Sequence, residues 1–238
     1  MPRPTATSAG APLGTRPAGN PCASVVPGTA KIMCLGDSWT DGAGYTGDSK
    51  AFRELLVLRF ADLGVAVDMV GPYETGAFSD NQHAGFPGKK LSDMATDAPA
   101  WCATYTPDVC IVIGGLNDAR EPVSGATINT RMSTLLAALW TARPGMRVVA
   151  CYIPTTSTTS ATEGFLRDAN ALFGATFAAS AQNGANLLRA CDLRGTVPST
   201  STLDCADITP HPTPRSFERI ADALWPVVLN ALGRDAEW

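Results

Sequence analysis

Short, fully apolar runs recur along the chain and alternate with segments that carry apolar residues at helical spacing. Runs of this kind, rich in β-branched residues and closed by glycine, are typical of strands buried on both faces. They are IMCL (32–35), VAVDMVG (65–71), DVCIVIGG (108–115), MRVVACYI (146–153) and the weaker ANLLRA (185–190). Strands without a polar face indicate a parallel sheet that is covered on both sides.

The segments between these runs predict helices. Apolar residues at helical spacing mark 52–64, 126–142 and 162–182, and the first of these segments ends at Gly64, a helix stop signal. The last segment, PRSFERIADALWPVVLNALG, is amphipathic, and Pro226 within it is expected to kink or interrupt the helix. Strands that alternate with helices predict an α/β fold with helices on both faces of a parallel sheet.

The composition fits one folded domain and excludes several classes of protein. The 238 residues suffice for a sizeable core, and 45% hydrophobic against 17% charged residues is a globular balance. A net charge of -4 offers no basic patch for nucleic acid, and no apolar run reaches the roughly 18 residues that span a membrane. Residues 1–28, rich in Pro, Ala, Gly and Thr, are expected to form a flexible arm ahead of a domain at 29–238.

The seven cysteines do not indicate a metal site, because they lack CxxC spacing and a partnering histidine cluster. Cys34, Cys110 and Cys151 lie in apolar runs and are expected to behave as small core residues. Cys191 and Cys205 flank a polar loop, and a disulfide between them is left open because spacing alone does not establish its geometry.

A serine and a histidine suited to nucleophilic catalysis lie near the ends of predicted elements. Functional residues gather at the carboxyl ends of parallel strands, and the first strand ends in Gly36-Asp37-Ser38-Trp39. Taken alone, Ser38 is better explained as a helix cap or turn residue, because a serine hydroxyl needs a base to become a nucleophile.

The chain has two histidines that could supply this base. His211 lies just ahead of the last helix with a proline on each side, which restricts its backbone and helps to aim the ring. An upstream acidic residue would hold the imidazole, as in a catalytic triad. His83 lies in the polar segment SDNQHAGFPG, where we expect a loop histidine that only makes hydrogen bonds.

Two further positions are suited to stabilising an oxyanion. Asn117 follows the third strand in Gly-Gly-Leu-Asn-Asp, and its side-chain amide can donate a hydrogen bond to developing negative charge. Gly88 lies in Gly-Phe-Pro-Gly after the second strand, where the lack of a side chain leaves a backbone N–H accessible. Each residue alone is better explained as part of a turn, so their combination with Ser38 and His211 carries the argument.

Four segments within residues 31–232 resemble the four sequence blocks of the SGNH, or GDSL, hydrolase superfamily. They are GDSW, the glycine segment, GGLND and DITPHP. VDMVGPYETGAFSDNQHAGFPGKKLSDM, followed by YTPDVCIVIGGLND, is similar to the acetylxylan esterase branch, carbohydrate esterase family 3. The resemblance implies a flavodoxin-like three-layer α/β/α sandwich with a five-stranded parallel sheet. It also implies Ser38 as nucleophile, His211 as base, and an oxyanion hole formed by Ser38, Gly88 and Asn117. Phe217 matches an aromatic position of the family.

The sequence departs from the family pattern at the acid of the triad. The usual Asp-x-x-His would place the acid at residue 208, which is Ile208, so Asp207 is the expected third member. Asp204 or a backbone carbonyl are the alternatives for orienting His211. Trp39 replaces the usual aliphatic residue and is expected in the core or in a pocket wall.

Four charged residues near these blocks are given structural roles. Asp37 and Asp118 are expected to bond turn backbone. Lys89 and Lys90 are expected to be solvated surface lysines, with the positioning of a polar substrate as the alternative.

The resemblance implies a serine esterase that hydrolyses short acyl esters, acetyl above all, on a sugar or polysaccharide, and that needs no metal or organic cofactor. The alternatives are an esterase, lysophospholipase or acyltransferase for other small acyl compounds, and a non-catalytic carbohydrate-binding protein on a hydrolase fold. The family favours secretion, although the first residues lack the apolar region of a signal peptide. The oligomeric state is left open.

Overall fold

The computed structural model describes residues 28–43, 51–154, 160–185, 187–197 and 211–234. The predicted arm at 1–28 lies almost wholly outside this part, so it stays a prediction. The strands are β1 (Ala30–Gly36), β2 (Val67–Met69), β3 (Tyr73–Glu74), β4 (Gln82–Gly85), β5 (Val109–Ile113), β6 (Arg147–Tyr152) and β7 (Leu188–Asp192). The helices are α1 (Ser38–Asp41), α2 (Phe52–Asp62), α3 (Leu91–Tyr105), α4 (Leu116–Ala119), α5 (Gly125–Ala142), α6 (Ser160–Ala179), α7 (Ala181–Gly184) and α8 (Pro214–Ala231).

The strands form one mostly parallel sheet in the order β3-β4-β1-β5-β6-β7. Only the short β3 runs antiparallel to its neighbour, β4. The amino-terminal half of β1 pairs with β2, while Leu35 and Gly36 at its other end pair with β4 on the same side. The predicted second strand, 65–71, is the short β2, and β4 follows it along the same edge of β1. The predicted count of five is wrong, since the described residues form seven strands.

Helices cover both faces of the sheet, which confirms the predicted α/β sandwich. Helices α3, α5 and α6 pack against one another on one side, while α2 and α8 pack together on the other. Every residue of β5 is buried, as expected for a strand covered on both faces. No helix in the described part of the chain is long and apolar enough to cross a membrane.

Three elements differ from the sequence prediction. Strand β4 lies in a segment that was expected as loop, and helix α3 was not predicted, because this part of the chain lacks a long apolar run. Helix α8 continues through Pro226 to Ala231, so the predicted interruption is wrong. Pro226 and Asp222, four residues earlier, are both exposed. Water can therefore bond to the Asp222 carbonyl, which has no helical N–H donor at Pro226.

Candidate active site

Strand β1 delivers Ser38 to the carboxyl end of the sheet through a tight turn. A Cβ on Gly36 would lie 2.4 Å from the Ile113 carbonyl oxygen, so only glycine fits where β1 passes β5. Asp37 then caps α1, because its Oδ1 accepts a hydrogen bond of 3.1 Å from the Trp39 N–H. Ser38 is the first residue of α1 and is 8% exposed, which leaves it accessible at the surface of a buried turn.

A buried arginine, Arg53, holds this turn through hydrogen bonds to main-chain carbonyls. The Arg53 guanidinium donates to the main-chain carbonyls of Thr40 at 2.8 Å and Asn81 at 2.6 Å. It also donates to the Asp41 carbonyl at 3.2 Å and to both oxygens of Thr75. Burial lowers the pKa of Arg53 to about 10. The sequence analysis missed this residue, because its partners are mostly carbonyl oxygens, which every residue carries.

His83 belongs to the same buried network. It lies on β4 rather than in a loop and is fully buried, but it makes the predicted hydrogen bonds. Its Nδ1 accepts from the Gly85 N–H at 3.0 Å, and its Nε2 lies 2.9 Å from Thr75 Oγ1. Since Thr75 donates its own hydrogen to the Asp41 carbonyl, the proton of His83 is on Nε2. Burial and then the Arg53 charge lower the pKa of His83 to about 3.

Asn117 lies beside the Ser38 turn, at the carboxyl end of β5. Gly115 turns the chain with a φ of +116°, and Asn117 follows in α4 with 9% exposure. Its Nδ2 donates to the Lys89 carbonyl at 3.0 Å and, more weakly, to Asp37 Oδ2 at 3.4 Å. Arg120 donates to its Oδ1 at 3.3 Å, which fixes the orientation of the amide. Residues from two strand ends therefore meet around Asp37.

Gly88 lies in the turn that precedes α3. Its φ is +82°, a left-handed conformation that favours glycine, and a Cβ placed there would meet no atom within 4 Å. The next residue, Lys89, provides the carbonyl that holds Asn117. The space beside the Gly88 backbone is therefore open, and the turn is tied to Asn117.

His211 is half-buried ahead of α8, and its charge acts on Asp37. Burial raises the pKa of Asp37 to about 6, against the Trp39 N–H bond and the charges of Arg120 and His211, which lower it. Asp207 and its alternative Asp204 lie outside the described residues. The proton transfer between Ser38 and His211 and the identity of the acid stay predictions.

Several residues near the site have other partners than expected. Lys89 and Lys90 are partly exposed surface lysines, and each forms an ion pair, with Asp97 and Glu121 respectively. The structural reading of Asp118 is confirmed, but it bonds the start of α3 through the Leu91 N–H at 2.9 Å. Its other oxygen accepts from Arg131 at 2.8 Å. Trp39, 2% exposed, is a core residue, as expected.

The cysteines in the described part of the chain are free and buried. Cys34, Cys110 and Cys151 lie in the core as expected. The thiol of Cys191 donates to the Ala223 carbonyl at 3.4 Å, so the disulfide left open from the sequence is not formed. Cys205 lies outside the described residues. Within the described ranges no group of three or more His, Cys, Asp or Glu residues could hold a metal ion.

A small recess adjoins the Ser38 turn, between the ends of β1, β5 and β6. The described residues that line it are Asp37, Trp39, Ile113, Gly114, Leu116, Ile153 and Pro154. Its volume is about 10 Å³, close to the minimum that holds one water molecule. It is lined mostly by apolar side chains, so it suits a small apolar group.

A buried turn with an accessible serine, an oriented carboxamide and an open glycine turn, all at the carboxyl end of an α/β sheet, is typical of a hydrolase. A model of the GDSL-like lipase/acylhydrolase family matches residues 34–218. The chain therefore belongs to this family, which confirms the predicted SGNH/GDSL membership. The family supports a carboxylic ester hydrolase. No curated protein sequence matches the chain significantly.

Solved structures agree with this fold. A family 3 carbohydrate esterase from Clostridium thermocellum has a TM-score of 0.72 at 22% identity, over 86% of this chain and 98% of that one. A carbohydrate esterase family 3 structure from Talaromyces cellulolyticus has a TM-score of 0.71 at 21% identity, with the same coverages of 86% and 98%. An acetyl esterase mutant with acetate ion has a TM-score of 0.70 at 20% identity, again over 86% and 98%.

Proposed function

We propose that this protein is a serine esterase that removes short acyl groups, acetyl above all, from carbohydrate esters. The observation that carries the proposal is that two strand ends bring Ser38 and Asn117 together at Asp37. Ser38 is the chain neighbour of Asp37, and the Asn117 amide donates to Asp37 at 3.4 Å. With His211 as the base that the family resemblance implies, a hydroxyl, a hydrogen-bond donor and an imidazole supply what acyl transfer needs.

In the proposed reaction, His211 takes the proton of Ser38 while the hydroxyl oxygen attacks the ester carbonyl. The oxyanion is stabilised by the N–H groups of Ser38 and Gly88 and by the Asn117 amide. The weak 3.4 Å bond to Asp37 leaves one Nδ2 hydrogen free to turn to the oxyanion, while the 3.0 Å bond to Lys89 holds the amide in place. The alcohol leaves with the proton from His211. Water, activated by the same histidine, then releases the acid. Asp207 orients the imidazole.

Two observations support a short acyl group on a carbohydrate. The recess of about 10 Å³ next to Asp37 and Trp39 is small and mostly apolar, which favours a short acyl group. The structures with similar folds include proteins described as family 3 carbohydrate esterases and as an acetyl esterase. A hydrolase for longer chains would need a larger apolar pocket at the same place.

The test is the Ser38→Ala variant assayed on p-nitrophenyl acetate. We expect kcat to fall by about three orders of magnitude or more, since no other group can form the acyl-enzyme. Ser92→Ala, an exposed serine on α3, is the matched control and should retain full activity. A fluorophosphonate probe should label the wild type and the control but not Ser38→Ala. Near-normal turnover by Ser38→Ala would refute the mechanism.

The acyl preference is tested with p-nitrophenyl esters of increasing chain length and with acetylated xylan. We expect the highest kcat/KM for the acetyl ester, because the recess beside the Ser38 turn is small. A preference for chains of about eight carbons would instead identify a lysophospholipase-like enzyme. An absence of both turnover and probe labelling would indicate a non-catalytic binding protein on the same fold.

A further inference from the structure

A surface groove opens directly beside Gly88. Phe86, Gly88, Lys89, Asp93 and Asp97 line it, and its volume is about 380 Å³. This is within the size range of small-molecule sites, about 300–1,000 Å³. The groove shares two residues with the candidate active site: Gly88, and Lys89, whose carbonyl accepts the hydrogen bond of Asn117.

Phe86 presents an aromatic surface in this groove. Its side chain is 46% exposed, and the other exposed large hydrophobic residues in the described part of the chain are leucines: Leu58, Leu63 and Leu172. A single exposed apolar residue is ordinary, so exposure alone would mean little. Two further features set the Phe86 ring apart: neighbouring side chains hold it in place, and it lies close to Gly88 in the chain.

Neighbouring side chains hold the ring in place. Tyr73 packs against it with ring centroids 5.5 Å apart, and Trp101 packs edge-on against Tyr73 at 5.9 Å. The Lys89 ammonium lies 5.8 Å from the centroids of both Phe86 and Trp101. A supported ring loses little conformational freedom when a ligand stacks on it, which favours binding.

The position of Phe86 fits the leaving group of the proposed reaction. Its N–H donates to the Gly36 carbonyl at 3.1 Å, two residues before Ser38. Gly88, the proposed oxyanion donor, is two residues further on, and two residues span at most about 7 Å. A group bonded to the ester oxygen would therefore reach the ring within about the length of one sugar unit.

The rim of the groove is polar. Asp97 forms its ion pair with Lys89, and Asp93 caps α3 by accepting from the Lys90 N–H at 3.0 Å. These groups offer hydrogen-bond donors and acceptors around an apolar ring face. A pyranose ring has the matching surface, with C–H groups on its faces and hydroxyls around its edge. With two carboxylates and one ammonium, the rim carries net negative charge and favours a neutral sugar over an anionic one.

We propose that Phe86 is a stacking platform for a neutral pyranose ring of the ester's alcohol side, next to the acyl site. The assignment of this ring to the leaving group rests on the proposed function. The binding of a sugar in the groove does not depend on catalysis.

The kinetic test compares two acetyl esters within each variant. For acetylated xylo-oligosaccharides relative to ethyl acetate, we expect the kcat/KM ratio to fall about tenfold in Phe86→Ala, the loss of one aromatic contact. Phe86→Trp should restore the ratio and Phe86→Leu should not, because leucine lacks a flat face. Leu58→Ala, an exposed apolar residue on α2, is the control and should keep the wild-type ratio.

A binding test separates this inference from the proposed function. We expect unsubstituted xylohexaose to bind the wild-type protein, measured by calorimetry, and Phe86→Ala to weaken its affinity about tenfold. Failure of the wild type to bind xylohexaose, together with an unchanged kcat/KM ratio in Phe86→Ala, would overturn the inference. If the wild type hydrolyses no ester but binds xylohexaose through Phe86, the proposed function fails and the sugar site stands.

Discussion

Two turns at the carboxyl end of the sheet have the same design and are held in different ways. The β1–α1 turn and the β5–α4 turn each follow a glycine, carry a buried aspartate, and lead into a four-residue helix with a predicted catalytic residue in its first two positions. The α1 helix is held by bonds from Arg53 to carbonyl oxygens. The α4 helix is held by a carboxylate, Asp118, paired with Arg131.

The two buried aspartates show what this difference does. Asp118 is fully buried and has the Arg131 guanidinium at 2.8 Å. Asp37 is equally buried, but its hydrogen bonds come from the Trp39 N–H and, weakly, from Asn117. Burial therefore raises the pKa of Asp37 to about 6. A buried carboxyl group with a pKa of about 6 therefore lies next to the proposed nucleophile, whereas the ion pair of Asp118 with Arg131 anchors the turn that carries Asn117.

The largest expected effect follows from removing the guanidinium of Arg53, which holds the β1–α1 turn. We expect Arg53→Met to lower the free energy of unfolding by about 4 kcal/mol, because it leaves several buried carbonyls without donors. Urea unfolding measures this. Arg59→Met on the same helix is the matched control, since Arg59 forms a partly exposed ion pair with Asp222 and its loss should cost about 1 kcal/mol or less. Equal losses in the two variants would contradict a special role for Arg53.

The α4 turn is tested through Asn117. We expect Asn117→Ala to lower kcat on p-nitrophenyl acetate about 10²–10³-fold, or roughly 3–4 kcal/mol, as for other oxyanion donors. Its stability should change much less than that of Arg53→Met, because Asp118 and Arg131 still hold the turn. Asn129→Ala, on α5, controls for the loss of an amide away from the site. A kcat within threefold of the wild type would exclude Asn117 from the oxyanion hole.

Local sequence signals accounted for most of the fold. The apolar runs predicted β1, β5 and β6, because a strand buried on both faces needs apolar residues at every position. Strand β4 has no such run, and it forms because Leu35 and Gly36 pair with it, a contact between distant segments. The same pairing buries His83, which the sequence places in a polar segment.

The catalytic roles of the candidate site residues stay predictions, and the structure gives only their places in the fold. Ser38, Gly88 and Asn117 lie at turns of the kind that the sequence blocks imply. The role of Arg53 could not be predicted from the sequence. Its hydrogen-bond partners are mostly main-chain carbonyl oxygens, which every residue has and which come together only in the folded chain. Asp207 stays a prediction, because the four-residue spacing to His211 departs from the family pattern and its position lies outside the described residues.

The buried carboxyl of Asp37 should make the free energy of unfolding depend on pH. Its pKa is about 6 in the folded protein against an ordinary value of 3.8. Between these values the folded protein holds a proton that the unfolded chain has lost. The contribution of this group is therefore fully present below pH 3.8 and is lost as the pH rises to about 6. The two-unit shift corresponds to at most about 3 kcal/mol.

His83 acts in the opposite direction, because its folded pKa of about 3 lies below its ordinary 6.5, so its contribution grows as the pH rises between those values. The two effects overlap, and only a difference measurement separates them. Relative to Asp37→Asn, the wild type should lose stability between pH 4 and 6.5 in urea unfolding, since His83 is common to both proteins. Asn at position 37 can still accept the Trp39 N–H bond, so the cap remains. A wild-type-minus-variant difference that stays flat over this range would mean that Asp37 is ionised in the folded protein throughout, and that the two turns do not differ in their electrostatics.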